Sequence, residues 1–228
     1  MGRRQESKFA GPRSKGRNQA TRQPRDRFLI VAGGMTEGEY FEYIRQSLSN
    51  TPLKLDVESK GRNPAALLRR AIDLRDEDRL EARRNNDRQN VYKKVWVVTD
   101  TDDFAGELMN IAPEASSAGI DLIISNPCFE LFMVLHDYAH GRYCETSQIQ
   151  TVAKSKGMLT GSNNKSIVLD KIQGNFERAE VFSQQLRQRH EQDCRSFPDD
   201  NPSTSVDTVI RTLIESARRS IPGFEHTL

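Results

Sequence analysis

Three aspartates, Asp100, Asp102 and Asp103, follow directly after a short apolar run at residues 95–98. That run, Val-Trp-Val-Val, is typical of a strand that is buried on both faces. Carboxylates that crowd within a few ångströms repel one another, so they need a cation or raised pKa values. Because open parallel sheets place ligand sites beyond the carboxyl ends of their strands, we predict an oxygen-rich divalent-metal site here.

Two more acids follow other predicted strands. Glu37 comes after the apolar run 28–32 and the glycine pair 33–34, and Glu130 comes after the run 121–125. Because parallel strands end at one edge of a sheet, Glu130 is expected to point toward the aspartates as a further metal ligand if its strand neighbours the run 95–98. For Glu130 an alternative is a helix-start carboxylate favoured by the helix dipole. For the glycine pair alone, a plain strand–helix turn is the simpler interpretation.

Strand-like and helix-like segments alternate along the chain. Apolar runs predict strands at 28–32, 53–58, 95–98 and 121–125, and 3.6-residue periodicity predicts helices after them. This order predicts an α/β fold whose mostly parallel sheet is flanked by helices. Cap residues predict where the helices begin and end. They are Thr36, Asn63 with Pro64, Gly119 after a helix at 112–118, and Ser125 or Asn126 with Pro127 at the first helical position.

The pattern divides the chain into three parts. Residues 1–27 form a predicted disordered basic arm, residues 28–140 an α/β core, and residues 141–228 a mainly helical extension that packs on the core. In the extension, periodicity predicts a helix over 167–190 and a terminal helix capped by Ser203, Thr204 or Ser205.

Charge is concentrated at the N-terminus. Residues 1–27 hold nine Lys and Arg against two acids, whereas the other 201 residues hold 25 against 30. An arm of this kind neutralises phosphates by releasing counterions, or it is a solvated tail that keeps the protein in solution. The candidate nucleic-acid contacts are Arg13, Arg17, Arg22 and Arg25 in the arm, together with Lys60, Arg62 and Lys165.

Other classes of protein are disfavoured. No apolar run approaches the roughly 20 residues of a membrane helix, and the N-terminus has no signal-peptide core. The three cysteines are widely spaced without a CxxC pair, which favours a reducing cytoplasm over a disulfide framework. His136 and His140 have zinc-like spacing but no HExxH motif, so a zinc site is disfavoured.

The order of the acids resembles a known arrangement. A glutamate after the first strand and a later DxD, here Asp100-x-Asp102, resemble the Toprim domain of topoisomerases, primases and overcoming-lysogenization-defect nucleases. Four blocks more closely resemble the RloB-like family, which includes AbiLii-type abortive-infection proteins. The blocks are VAGGMTEGEYF at 31–41, VWVVTDTDDF at 95–104, ISNPCFELFMVLH at 124–136 and NPSTSV at 201–206.

The resemblance implies a Toprim-like fold, a setting among antiviral defence genes and a neighbouring ATPase. It implies that Glu37, Asp100 and Asp102 are the catalytic set, with Mg²⁺ or Mn²⁺ as the cofactor and nucleic acid as the substrate. In relatives the first block carries another glutamate, which this chain replaces with Ala32 or Gly33. The glutamate that relatives carry at this place resembles the catalytic Toprim glutamate.

Three functions follow from these observations. The first is a defence protein that binds nucleic acid and cleaves its phosphodiester bonds with Mg²⁺. The second is a non-catalytic Toprim module that binds nucleic acid or a nucleotide and acts through a partner ATPase, which the missing glutamate favours. The third is a small-molecule phosphohydrolase, which the order of the acids disfavours.

Overall fold

A computed structural model of the protein describes residues 26–59, 63–161 and 165–228. Its centre is a five-stranded sheet in which four strands are parallel and the fifth is antiparallel. The strands are β1 (Arg27–Ala32), β2 (Lys54–Ser59), β3 (Tyr92–Asp100), β4 (Asp121–Asn126) and β7 (Ser203–Thr204), in the spatial order β2-β1-β3-β4-β7. The fold is therefore the predicted α/β fold with a mostly parallel sheet.

The two central strands are buried on both faces because their apolar side chains alternate between two cores. In β1, Ile30 packs into the core on one face and Val31 into the core on the other. In β3, Trp96 packs into the same core as Ile30, and Val97 packs into the same core as Val31. Burial on both faces explains why these strands are continuous apolar runs.

Helices cover both faces of the sheet. The helix α1 (Met35–Ser47) packs on one face, and α2 (Pro64–Arg84) and α3 (Ala105–Ala118) pack on the other. The predicted start of α2 is confirmed, because Asn63 Oδ1 accepts a 3.0 Å hydrogen bond from the Ala66 N–H. The predicted end of α3 at Gly119 is also confirmed, since that glycine has φ +68°.

Two predicted helix starts are wrong. The cap of α1 is Gly34 rather than Thr36, whose hydroxyl instead donates to the Lys165 carbonyl at 3.2 Å. The helix α3 begins at Ala105 rather than at residue 112, and it contains Pro113. The proline removes one hydrogen bond to the Met109 carbonyl, which is tolerated because Met109 is exposed to water.

The C-terminal part shares its core with the sheet. It contains α4 (Glu130–Leu135), α5 (Thr146–Ser155), α6 (Phe176–Gln192) and α7 (Val206–Ser220), with a small hairpin of β5 (Leu159–Thr160) and β6 (Ser166–Ile167). Apolar residues of these helices join the core that also contains α1. The predicted helix over 167–190 is partly wrong, because a strand and a short 3₁₀ turn occupy the residues before Phe176.

A partly buried ion pair holds the last strand in place. The carboxylate of Asp207 accepts two 2.7 Å hydrogen bonds from the Arg187 guanidinium, which also donates to the Thr204 carbonyl. Burial is the main cause of a raised Asp207 pKa, and the Arg187 hydrogen bonds oppose that effect. The terminal helix begins after Ser205, one of three predicted caps, but no side chain caps it.

Candidate functional site

The predicted acids meet at the carboxyl edge of the sheet. Glu37 lies in the first turn of α1, Asp100 ends β3, Asp102 follows it, and Glu130 begins α4. The strand order reverses between β1 and β3, and open α/β sheets bind ligands at such a switch point. These four residues line one cavity of about 200 Å³ with Gly33, Gly34, Met35, Thr36, Thr99, Phe104, Gln150 and Lys165. The fold thus brings together four of the acids that the sequence analysis named as metal ligands.

Asp100 contains the least satisfied polar atom of the cavity. The residue as a whole is partly exposed, but its Oδ1 is buried and has no hydrogen-bond partner in the described part of the chain. Burial raises the Asp100 pKa well above its usual value, and the negative charges of Glu37, Glu130 and Asp102 raise it further. A backbone N–H of Phe129 opposes these effects. A carboxylate in this position requires either a proton or a cation.

Glu37 is buried beside Asp100, with only 5% of its surface exposed. Burial raises its pKa to about 7, and the charges of Glu130 and Asp102 act in the same direction. A backbone hydrogen bond and the positive charge of Lys165 oppose the increase. Glu37 therefore exchanges its proton near neutral pH, where binding of a cation would displace it.

Lys165 is the one predicted basic contact that the structure describes. Its carbonyl accepts from Thr36 in α1, and the next two residues are tied to the same helix. The Ser166 hydroxyl and the Ile167 N–H donate to the Glu39 carboxylate at 3.1 and 2.8 Å. The hairpin thus places a positive charge at the cavity, where it can face a phosphate. The other predicted contacts, Arg13, Arg17, Arg22, Arg25, Lys60 and Arg62, lie outside the described residues.

Asp102 is held from two sides. Its backbone N–H donates to the Pro127 carbonyl at 3.2 Å, and its Oδ1 accepts a 2.7 Å hydrogen bond from Thr146 Oγ1. Its backbone has φ +34°, an uncommon conformation for a residue other than glycine. Such strain persists where the surrounding contacts impose it, and it is frequent at functional sites.

The neighbouring Asp103 points elsewhere. It is exposed and lines a wider groove of about 780 Å³ rather than the carboxylate cavity. The groove joins the cavity, because Asp102 and Phe104 line both. Asp103 is therefore placed at the entrance to the site and not among the buried acids.

The block SNPCFEL positions Glu130 differently from the predicted helix start. Asn126 remains in β4 and pairs with Ser203 of β7, and its side chain donates to the Pro198 carbonyl at 3.0 Å. It therefore caps no helix, and α4 starts at Glu130 rather than at Pro127, whose peptide bond is cis. Only 6% of Glu130 is exposed, and it lines the carboxylate cavity from the first turn of α4, where the helix dipole also favours a negative charge.

The histidine pair does not form a zinc site. His136 is buried, with Nδ1 2.9 Å from the Phe132 carbonyl and Nε2 3.1 Å from the Tyr40 hydroxyl. Burial lowers the His136 pKa to about 4, so the ring is neutral and part of the core. Both ring nitrogens are engaged, which leaves none for a metal.

The carboxylates suit a hard cation by chemistry. Mg²⁺ and Mn²⁺ prefer oxygen ligands, and three carboxyl groups surround Asp100 Oδ1, a buried oxygen without a hydrogen-bond partner in the described residues. Within residues 26–59, 63–161 and 165–228, no three His, Cys, Asp or Glu side chains already converge as a metal-binding group. The residues thus fit a cation by type and charge, and coordination of one would require side-chain rotation.

The structure distinguishes the two positions proposed for the missing glutamate. Ala32 is fully buried in the core, whereas Gly33 lines the carboxylate cavity. A Cβ atom on Gly33 would lie 3.1 Å from Leu67 Cδ1 and 3.6 Å from Thr99 Oγ1. Gly33 is therefore the position from which a further carboxylate would enter the site.

Two site residues escaped the sequence prediction. Thr146 and Gln150 come from α5, more than 40 residues after the aspartates, and line the groove that joins the cavity. They are polar residues on a helix surface, where polar residues are ordinary. The capping box of Glu145 and Gln148 indicates the start of the helix but not its direction towards the site.

Fold and site together define a mixed α/β protein with a carboxylate cavity at the sheet's switch point. The chain belongs to the RloB-like protein family, whose model matches residues 28–213. No curated protein and no solved structure matches the chain. In the described residues, no helix is long and apolar enough to cross a membrane.

Proposed function

We propose that this RloB-like protein is a Toprim-like defence nuclease that binds nucleic acid and cleaves its phosphodiester bonds with Mg²⁺ or Mn²⁺. The observation that carries the proposal is Asp100 Oδ1, a buried oxygen without a hydrogen-bond partner in the described residues, surrounded by three other carboxyl groups. Placing four acids together without a cation costs stability, and such costs are typical of functional sites.

Glu37, Asp100, Asp102 and Glu130 would hold the cation. When bound, the metal supplies a polarised phosphoryl oxygen and a water of lowered pKa. Lys165 would offset negative charge on a phosphate at the same cavity, since its positive charge already opposes the increase in the Glu37 pKa. Glu37 gives up its proton near neutral pH, and Thr146 holds the Asp102 carboxylate in place. The wider groove beyond Asp102 leaves room for a polymeric substrate.

The second candidate function is a binding module without catalysis that acts through a partner ATPase. Gly33 favours it, because this position lines the cavity and contributes no carboxylate. Loss of one ligand from a site for two metals can abolish turnover while nucleic-acid binding persists. Against this alternative, Glu130 supplies a buried carboxyl group from the start of α4.

Cleavage assays test the proposal directly. Full-length protein is incubated with single- and double-stranded DNA and RNA, with Mg²⁺, with Mn²⁺ or with EDTA. We expect metal-dependent cleavage that Asp100→Ala abolishes and Asp121→Ala preserves, since Asp121 is an exposed acid at the other end of β4. Cleavage in EDTA would refute the metal mechanism. Metal and nucleic-acid binding without cleavage would favour the binding module.

A further inference from the structure

A second cavity, of opposite charge, lies beyond the other end of the sheet. It measures about 500 Å³ and is lined by Arg79, Ala82, Arg83, Arg88 and Val91. No acid is among these lining residues. Val91 directly precedes β3, whereas Asp100 ends that strand, so the arginine cavity and the carboxylate cavity lie at opposite ends of β3.

The arginines reach this cavity from two elements. Arg79 and Arg83 lie one turn apart near the end of α2, and Arg88 comes from the connection to β3. Basic residues in the last turn of a helix complement its dipole, which accounts for Arg83 alone. The dipole does not account for Arg79 and Arg88 lining the same cavity, so their convergence points to an external anion.

Two of the three cavity arginines have no carboxylate partner among the described residues, whereas several other arginines are paired. Arg27, Arg70 and Arg187 each contact a carboxylate at 2.6–2.8 Å. Within the part of the chain that the structure describes, neither Arg83 nor Arg88 has a carboxylate within ion-pair distance. Arg79 has only a 3.6 Å contact with Asp76, in which both side chains are about half exposed. Guanidinium groups without partners are available for bidentate contacts with phosphate.

The basic N-terminal segment joins the protein at this same end. Arg27 Nη1 donates to the Asn90 carbonyl at 2.8 Å, and the Asp26 carboxylate pairs with Lys93. Asp26 is the first described residue and follows eight Lys and Arg in the sequence, so the described part of the chain begins near the arginine cavity.

We propose that the arginine cavity is a phosphate-binding site for the backbone of nucleic acid, separate from the carboxylate cavity. The nine residues of β3 place the two sites about 26 Å apart at about 3.3 Å per residue. With a phosphate every 3.4 Å along one strand, roughly eight nucleotides of a duplex span that distance. The inference rests on the proposed function for its ligand class, but binding at the cavity requires no cleavage.

Salt-dependent binding tests the site. Fluorescence anisotropy in EDTA measures the affinity of the full chain for a labelled duplex of about 20 base pairs. The test variant is Arg83→Ala/Arg88→Ala. The control is Arg142→Ala/Lys171→Ala, which removes the same charge from exposed positions elsewhere. We expect the test variant to bind about tenfold more weakly and its salt slope to fall by about 1.8, because each lost phosphate contact contributes about 0.9.

A conservative variant separates loss of the site from loss of folding. Arg83→Lys/Arg88→Lys keeps the charge but not the planar fork, so we expect the salt slope to persist while affinity falls less. Equal losses in the test and control variants, or an unchanged salt slope, would overturn the proposal. Binding of polyglutamate as tight as that of the duplex, with the same dependence on the arginines, would also overturn it. Because the assay contains EDTA, a failure of the nuclease proposal leaves the result interpretable.

Discussion

Thr146 Oγ1 donates a 2.7 Å hydrogen bond to Asp102 Oδ1. The two residues belong to different parts of the chain, since Asp102 follows β3 and Thr146 begins α5. Through this contact the C-terminal part supports the carboxylate site rather than only covering the core. The bond also fixes one acid whose backbone is in an uncommon conformation.

Removal of this hydrogen bond should weaken metal binding more than folding. For Thr146→Val we expect a three- to tenfold loss of Mg²⁺ affinity, because an exposed hydrogen bond to a carboxylate contributes about 1 kcal/mol. Isothermal titration calorimetry with Mg²⁺ measures the change. The control is Thr151→Val, since Thr151 donates only to the Ser147 carbonyl of its own helix. Equal affinities for the two variants would contradict a positioning role for Thr146.

Neutralising Asp100 should stabilise the protein without metal. Its carboxyl group is buried and is repelled by three others, so Asp100→Asn removes an unfavourable charge while preserving shape. We expect the Tm in EDTA at pH 8 to rise by about 2–8 °C, equivalent to about 1–2 kcal/mol. The Mg²⁺-dependent increase in Tm should disappear. Asp103→Asn, at an exposed position outside the cavity, should leave both quantities unchanged.

The positions of the acids were predictable from sequence because one physical rule connects them. Each follows an apolar run that had to be a buried strand, and parallel strands end at one edge. The predicted convergence of Glu37, Asp100, Asp102 and Glu130 required no knowledge of side-chain contacts. The position of Lys165 was less predictable from sequence. Only the β5–β6 hairpin, which is hydrogen-bonded to Glu39, brings this lysine to the carboxylate cavity.

The remaining contacts depend on packing that leaves no local pattern. The strand β7 has two residues, too few for any alternation, yet it holds Asn126 in the sheet and prevents the predicted cap. Thr36 is a predicted helix cap, but tertiary structure uses its hydroxyl for the Lys165 carbonyl. Thr146 became identifiable only through the orientation of α5 against the loop of Asp102.

Glu37 should give the stability of the protein a distinctive pH dependence. A buried carboxyl group with a folded-state pKa of about 7 binds its proton more tightly in the folded state than in the unfolded state. The contribution of Glu37 to the free energy of unfolding is therefore full below about pH 4.5. It declines by about 3 kcal/mol towards pH 7 and stays constant at higher pH. Glu37→Gln should remove this decline, whereas Glu114→Gln, at an exposed position, should retain it.

Urea unfolding from pH 4 to 9 in EDTA measures this effect as the difference between each variant and the parent protein. Metal binding should show the opposite trend, because a cation competes with the proton on Glu37. Mg²⁺ affinity of the parent protein should thus increase as the pH rises towards 7. An affinity independent of pH would exclude Glu37 as a ligand.

Gly34→Ala should displace Glu37 without disturbing the fold. A Cβ atom at this position would overlap the Glu37 carboxylate, which lies over the glycine. Because the overlapping group is the end of a flexible side chain, the Glu37 carboxylate can move while the backbone stays in place. The substitution therefore weakens metal binding rather than folding. We expect at least a fivefold loss of Mg²⁺ affinity, about 1 kcal/mol, with a small change in Tm. Gly106→Ala in α3, with open space around it, should keep its metal affinity.

Placing an acid at position 33 should strengthen the proposed metal site. Gly33 lines the cavity, and its Cβ atom would require only a slight shift of the Leu67 side chain. We expect Gly33→Glu to bind Mn²⁺ about tenfold more tightly and to increase any cleavage rate, since it adds an oxygen ligand. In EDTA the same variant should melt at a lower temperature, because a fifth acid joins the repelling group. Gly33→Ala adds the Cβ atom without the charge, so an equal effect of this control would attribute the change to packing.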